Sequence, residues 1–222
     1  MVQDILDIII RNKEGFLSGL LVTFQICLIV WISGLVLGTA IGYFTSKNKV
    51  IKITIRTLSF VLSGVPVIVF LFWLHYPAQA FLHIQVAPFY TAVFMLSLLN
   101  IIAVSEIVNN GINNFPNQYL EVAKVCGIKT KTAFFKIQLP LIARHILPSM
   151  LTAQINSLHL SLFASLISVE EIFRVSQRII SSEYKHVEVY MALGIFFLIV
   201  SLPVNGFAIY LKQKFGRKLD EK

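Results

Sequence analysis

Residues 16–44 run for 29 positions without a charged side chain, and nothing else in the sequence constrains the fold as strongly. At about 1.5 Å per residue, a helix of this length exceeds the ~30 Å hydrocarbon core of a bilayer. Phe16 to Phe44 therefore reads as a membrane span that tilts or protrudes at one end. Helix is the form required, because lipid offers no partner to an unpaired backbone amide. Four more apolar stretches follow, at about Leu58–Leu74, Phe89–Asn109, Leu147–Ile167 and Val189–Leu211. Only 14% of the residues are charged, where a soluble domain carries about 25%.

The basic residues set the orientation. Lys47, Lys49, Lys52 and Arg56 follow the first span, a second basic group runs from Lys124 to Arg144, and Lys212, Lys214, Arg217 and Lys218 follow the fifth span. With Lys222 counted in the last group, fourteen of the 19 Lys and Arg residues fall in these three segments, which the positive-inside rule places in the cytoplasm. The expected fold is an all-α membrane protein of five transmembrane helices, N-terminus out and C-terminus in. The net charge of +8 thus belongs to loops beside the bilayer, with no basic face built for nucleic acid. Cys27 and Cys126 fall on different faces, so no disulfide is expected, and no spacing resembles a metal site. Residues 1–15 form an N-terminal amphipathic segment. Val2, Ile5, Leu6 and Ile9 recur at helical spacing, and acidic residues stand where a signal peptide has basic ones, so a helix on the membrane surface is expected.

Inside the spans, Gly34, Gly38 and Gly42 repeat every four residues and make a flat face for close helix contact. Ser63-Gly64-Val65-Pro66 interrupts the second span; Pro66 bends it, either as a packing kink or as part of a discontinuous helix lining a path. The following loop, His75–Ala87, has no Lys or Arg and reads as external. Glu106 lies near the inner end of the third span, solvated or ion-paired at the interface. The fourth span carries a polar stripe with Gln154, Asn156, His159, Ser161 and Ser165, which should face protein or water. The mixed-charge loop from Ser168 to Lys185 reads as external.

Between the third and fourth spans lies Glu121–Pro140, EVAKVCGIKTKTAFFKIQLP. Leu120–Cys126 favours helix, and Gly127 sits where a left-handed terminator is wanted. Thr130 or Thr132 is placed to cap a second short helix with Ala133, Phe134 and Ile137 on its apolar side, and Pro140 is expected to end it. The product is a helix-turn-helix too short and polar to cross a bilayer.

This stretch resembles the EAA loop of ABC importer permeases: E-A-A, three residues, Gly, nine residues, I-x-L-P. Only Val122 departs from the pattern. The resemblance implies an ABC permease transmembrane domain over 16–222 whose coupling loop, 119–140, docks on an ATP-hydrolysing subunit through Glu121, Ala123, Lys124, Gly127, Ile137, Leu139 and Pro140. The likeness covers most of Gly19–Gln177 and looks like the polar amino acid branch. Gly64 and Pro66 match its R-G-T-P; Glu106, Ile107, Gly111 and Ile112 match its A-E-I-x-R-G-G-I. Pro140, Arg144 and Pro148 fit the segment after the loop, and Ser165, Ile167, Ser168 and Glu171 fit its S-x-I-S-x-x-E-L. The Gly-rich stretch of the methionine branch is absent.

What this implies is a multi-pass subunit of the bacterial inner membrane. An ABC ATPase dimer would bind below it, a second permease, identical or different, beside it, and a periplasmic or surface substrate-binding protein would deliver substrate. ATP and Mg would sit on the partner ATPase, since this chain lacks the Gly-x-x-x-x-Gly-Lys-Ser/Thr loop; the chain itself takes no cofactor and is not an enzyme. Ser63, Pro66, Asn156, His159, Ser161 and Ser165 are the candidates for the substrate path. Ser63 replaces the branch's Arg, and His159-Leu160-Ser161-Leu162 replaces its K-D-T-S. Leu160 cannot hold a cationic substrate, which points to a heteromer whose partner permease supplies most contacts. Two rivals remain at this stage. One is a non-transporting membrane scaffold; the other is a membrane enzyme using Glu106, His159 and Ser161 as acid, base and nucleophile.

Overall fold

A computed structural model describes residues 2–216, and among them every regular element is helical. Arg217 and Lys218, part of the third basic segment, lie outside the described residues. Helix α1 covers Val2–Arg11. Helix α2 runs unbroken from Lys13 to Lys47, 35 residues, about 52 Å at the usual rise. A π-helical segment, Gly34–Gly38, lies inside it. Three shorter helices follow: α3, Lys49–Ser63; α4, Val67–His75; and α5, Pro77–Leu82. Then come α6, Pro88–Asn113, and the short α7, Gln118–Val125. Helix α8 is continuous over Thr130–Ile167, α9 covers Ile172–Glu183, and α10 covers His186–Gly216.

Four of these helices (α2, α6, α8 and α10) are long and apolar enough to cross a membrane; α3 and the α4–α5 segment make a fifth candidate bent by 96°. The second apolar stretch is thus a break rather than a kink. Pro66 has φ −55° and ψ 134° at the start of α4, extended backbone that its ring favours and that no helix contains. No residue of α3 is buried; its packing is against the end of α2 and against α6, and none of it is tight enough to hold α3 in line with α4. The His75–Ala87 loop is not all irregular either, since Pro77 opens α5 there.

Helix α6 is the central post, with α2, α4 and α8 packed around it. One face of α6 meets the glycine stripe of α2. A Cβ on Gly38 would stand 2.7 Å from Val104 Cβ and 2.9 Å from the Ile101 carbonyl, and one on Gly42 2.6 Å from the Ser105 carbonyl. The stripe therefore lets the two backbones nearly touch, as its spacing predicts. Ile26, Val30, Leu71, Met95, Leu96, Ala164 and Ile167 join α2, α4, α6 and the end of α8 in one buried cluster.

A second cluster lies at the opposite end from the Lys47–Arg56 loop. Ile8 of α1 packs with Val175, Ile179 and Ile180 of α9 and Val189 of α10. Asn12 Nδ2 donates to Glu183 Oε1 at 2.6 Å, fixing the α1–α2 junction to α9. The buried stripe of α1 is Ile5 and Ile8, while Leu6, Ile9 and Ile10 stay exposed. This segment is therefore a docked element with an uncovered apolar edge, rather than a helix resting on lipid alone.

Candidate functional site

Helix α7 ends in a Schellman motif. Gly127 has φ +71°; its N–H donates to the Lys124 carbonyl at 3.0 Å, and the Ile128 N–H donates to the Ala123 carbonyl at 2.9 Å. These two bonds satisfy carbonyls the helix end would leave open, and the left-handed residue between them favours glycine. Ala123 is buried, while Glu121, Lys124 and Cys126 are exposed. Val122 and Val125 are 62% and 89% exposed. Together with Tyr119 they lie three residues apart, so one face of α7 is an uncovered apolar strip flanked by Glu121 and Lys124. Exposed apolar area of this kind, on a helix flanked by charges, is available to a partner.

After the turn the structure departs from the expected pair of short helices. Neither threonine caps the second one, whose N-cap is Lys129. Pro140 does not end it, and Ile137, Leu139 and Pro140 lie inside α8. The reason is the π-helical segment Phe134–Gln138, where the Leu139 N–H reaches back five residues to the Phe134 carbonyl. One extra residue in that turn relieves the clash and missing donor that Pro140 brings to an α-helix. Ala133 is buried, Ile137 and Pro140 are half-buried, and Leu139 is exposed. The loop thus runs without interruption into the fourth span.

The path candidates fall into three surroundings. Ser63 and Pro66 lie exposed at the α3–α4 break. Asn156 and His159 are exposed on α8, and the His159 Nε2 lies 2.9 Å from Ser201 Oγ on α10. Ser161 and Ser165 are buried, each donating to its own helix, to the Leu158 and Leu162 carbonyls at 2.7 Å. Leu160 packs against the central cluster. Glu106 lines a cavity near the Lys47–Arg56 loop. The acid, base and nucleophile of the enzyme reading therefore stand in separate places.

Two polar arrangements escape the sequence reading, although it names Gln154 and Glu171. Asn100 on α6 donates through Nδ2 to the Val30 carbonyl at 2.9 Å and to Gln154 Oε1 at 3.0 Å, while Trp31 Nε1 donates to the Gln154 carbonyl at 3.0 Å. This joint ties α2, α6 and α8 together, in space that Gly34 leaves open. Isolated amides in apolar runs were the available signal. The other is Glu171, fully buried at the start of α9, whose two oxygens accept from Phe173 N at 2.9 Å and Arg174 N at 2.8 Å. Burial pushes its carboxyl up to about 7; the two amides pull the other way and the charge of Glu170 adds to the rise.

Comparison with known proteins meets this geometry. Residues 34–217 match the family described as binding-protein-dependent transport system inner membrane component. The nopaline transport system permease protein NocM of Agrobacterium fabrum is 23% identical over 210 residues, covering 90% of this chain and 87% of that protein. The L-cystine transport system permease protein TcyL of Bacillus subtilis is 28% identical over 204 residues, covering 86% and 85%. Among solved structures, a crystal structure of an amino acid ABC transporter with histidines superposes with a TM-score of 0.80 at 21% identity, covering 93% of this chain and 96% of that one. An inward-facing MetNI methionine ABC transporter gives 0.70 at 13% identity, covering 90% and 98%.

Proposed function

The chain belongs to the family of binding-protein-dependent transport system inner membrane components, and we propose that it is the permease subunit of an ATP-driven importer of polar amino acids. It is a multi-pass transport subunit rather than an enzyme. The observation that carries the proposal is α7, a short helix with an uncovered apolar strip, closed by Gly127 and joined directly to α8. In this reading α7 seats in a groove of an ABC ATPase, one copy of a dimer that holds ATP and Mg. Movement of the ATPase then passes through α7 into a helix of 38 residues, so the loop and the fourth span move as one lever. The π turn at Phe134–Gln138 and Pro148 within α8 are the places where that lever bends.

In the same reading the chain crosses a bacterial inner membrane five times, with α3–α5 as the broken second span, the N-terminus outside and α7 in the cytoplasm, as the basic loops support. The α3–α4 break with Ser63 and Pro66, and the Asn156–His159 face of α8, then stand toward the substrate path. Ser161 and Ser165 hold the span's inner face. Leu160 is committed to the core, so a second, different permease supplies most of the substrate contacts, and an external binding protein delivers the amino acid. The coverage of nearly the whole of several amino acid permeases supports the substrate class.

The test is reconstitution of the complex into liposomes with ATP on the ATPase side and uptake of labelled polar amino acids. ATP-dependent uptake that requires the binding protein is expected. A complex that binds the ATPase yet moves none of the polar amino acids would leave the scaffold reading in its place.

A further inference from the structure

Two adjoining cavities open at the α2–α3 junction, and neither the coupling helix nor the path candidates account for them. One, of about 460 Å³, lies between α3 and the end of α6, where Lys52 and Arg56 share the wall with Glu106 and with Asn109, Asn110 and Asn113. The other, of about 490 Å³, is lined by Lys47, Lys49, Lys52 and Arg56. Lys52, Arg56 and Thr45 line both. Lys52 and Arg56 thus share one cavity with the carboxylate of Glu106, and Lys47 and Lys49 add two more cations in the other.

Thr45 makes this more than a solvated basic surface. It is 4% exposed, and its hydroxyl has no hydrogen-bond partner, whereas the neighbouring Ser46 donates to the Tyr43 carbonyl at 2.7 Å. A buried hydroxyl left open in this way is costly unless a ligand supplies its partner. Helix α3 adds an apolar approach to the same place. None of its residues is buried, and Val50, Ile53 and Phe60 are 71%, 57% and 78% exposed beside Lys52 and Arg56. Cations at the mouth of an apolar exposed helix fit a headgroup with acyl chains attached, better than a free ion.

We propose that these cavities bind an anionic phospholipid whose headgroup carries free hydroxyls. Its phosphate sits between Lys52 and Arg56 and accepts a hydrogen bond from the Thr45 hydroxyl. Its hydroxyls meet Glu106 and the asparagine amides, and its acyl chains lie along α3. In the orientation proposed above this lipid belongs to the inner leaflet; the site itself does not rest on that orientation.

The experiment takes the intact complex in mild detergent, adds phosphatidylglycerol or phosphatidylcholine of matched chains, and counts retained lipid by native mass spectrometry. Each basic residue near an anionic headgroup contributes about fivefold, so K52Q/R56Q should weaken phosphatidylglycerol retention by about thirtyfold. Thr45→Val, nearly isosteric, should weaken it severalfold without lowering the melting temperature. K212Q/K214Q, which removes two charges elsewhere, should leave it unchanged. Equal retention of phosphatidylcholine, or an equal loss in K212Q/K214Q, would overturn the site. Displacement of the lipid by millimolar inorganic phosphate would overturn the lipid assignment in favour of a free anion. Lipid counting does not depend on transport, so failure here leaves the importer reading untouched.

Discussion

Replacing Glu171 with glutamine changes the charge of one fully buried group and almost nothing of its shape. The carboxyl is held near 7 in the folded chain, against an ordinary value of 4.5. The sign follows from proton counting. Below pH 4.5 both states hold the proton and the group contributes nothing. Between 4.5 and 7 the unfolded chain releases it while the folded chain keeps it, so stability falls as pH rises. Above 7 the folded chain carries the full penalty of a buried carboxylate, about 3 kcal/mol for a rise of this size. Glutamine is neutral but offers one acceptor oxygen where the carboxyl offers two, so Glu171→Gln should fall about 1 kcal/mol short of the wild type near pH 5 and gain on it by about 2–3 kcal/mol by pH 8. Apparent melting of the complex, followed by Trp31 and Trp73 fluorescence at a fixed scan rate, should show the variant gaining on the wild type across pH 5–8. Parallel curves, or a variant that loses ground to the wild type between pH 5 and pH 8, would refute the reasoning. Glu171→Ala should be less stable at every pH, because it also removes the cap that Phe173 and Arg174 donate to.

Gly38→Ala places a Cβ against the Ile101 carbonyl and Val104, which cannot both yield, and should destabilise the bundle by about 1–3 kcal/mol. Gly194→Ala, with nothing within 4 Å of the new atom, should not, and thermal melting of both variants checks the pair. Gly127 also has open space around it, so any effect there comes from its backbone. A side chain in the left-handed region costs about 1–2 kcal/mol, so Gly127→Val should lose transport with the bundle still folded, while Gly127→Asn should keep much of it. Uptake normalised to membrane level separates these outcomes.

The spans were legible because charge-free runs of span length have few other readings, and the turn at Gly127 because helix formers end there at a glycine. The glycine stripe was legible for the same kind of reason, a spacing that only a packed helix face requires. Pro140 misled because the rule that proline ends a helix is local, and the π turn at Phe134–Gln138 needs only one extra residue to defeat it. Pro66 left a packing kink and a discontinuous helix both open, since a bend and a 96° break differ in how firmly neighbours hold the two halves in line, and α3 buries no residue against any. Glu171 was visible as a family position, but burial of a carboxylate with two amide partners is a property of α9 packed against its neighbours. Asn100 and Gln154 belong together only after α6 and α8 meet.

The central claim is that α7 seats on an ATPase. Val125 is the most exposed residue of its apolar strip, so Val125→Cys in a Cys126→Ser background places a thiol where the contact should be. Membranes holding the whole complex are treated with a short bifunctional crosslinker, and the product is identified by mass spectrometry. A crosslink to an ATP-binding subunit, changing in yield when ATP is added, is the predicted result. An intact complex in which that thiol crosslinks to no ATPase, and reacts as fast as in the isolated chain, would contradict the account.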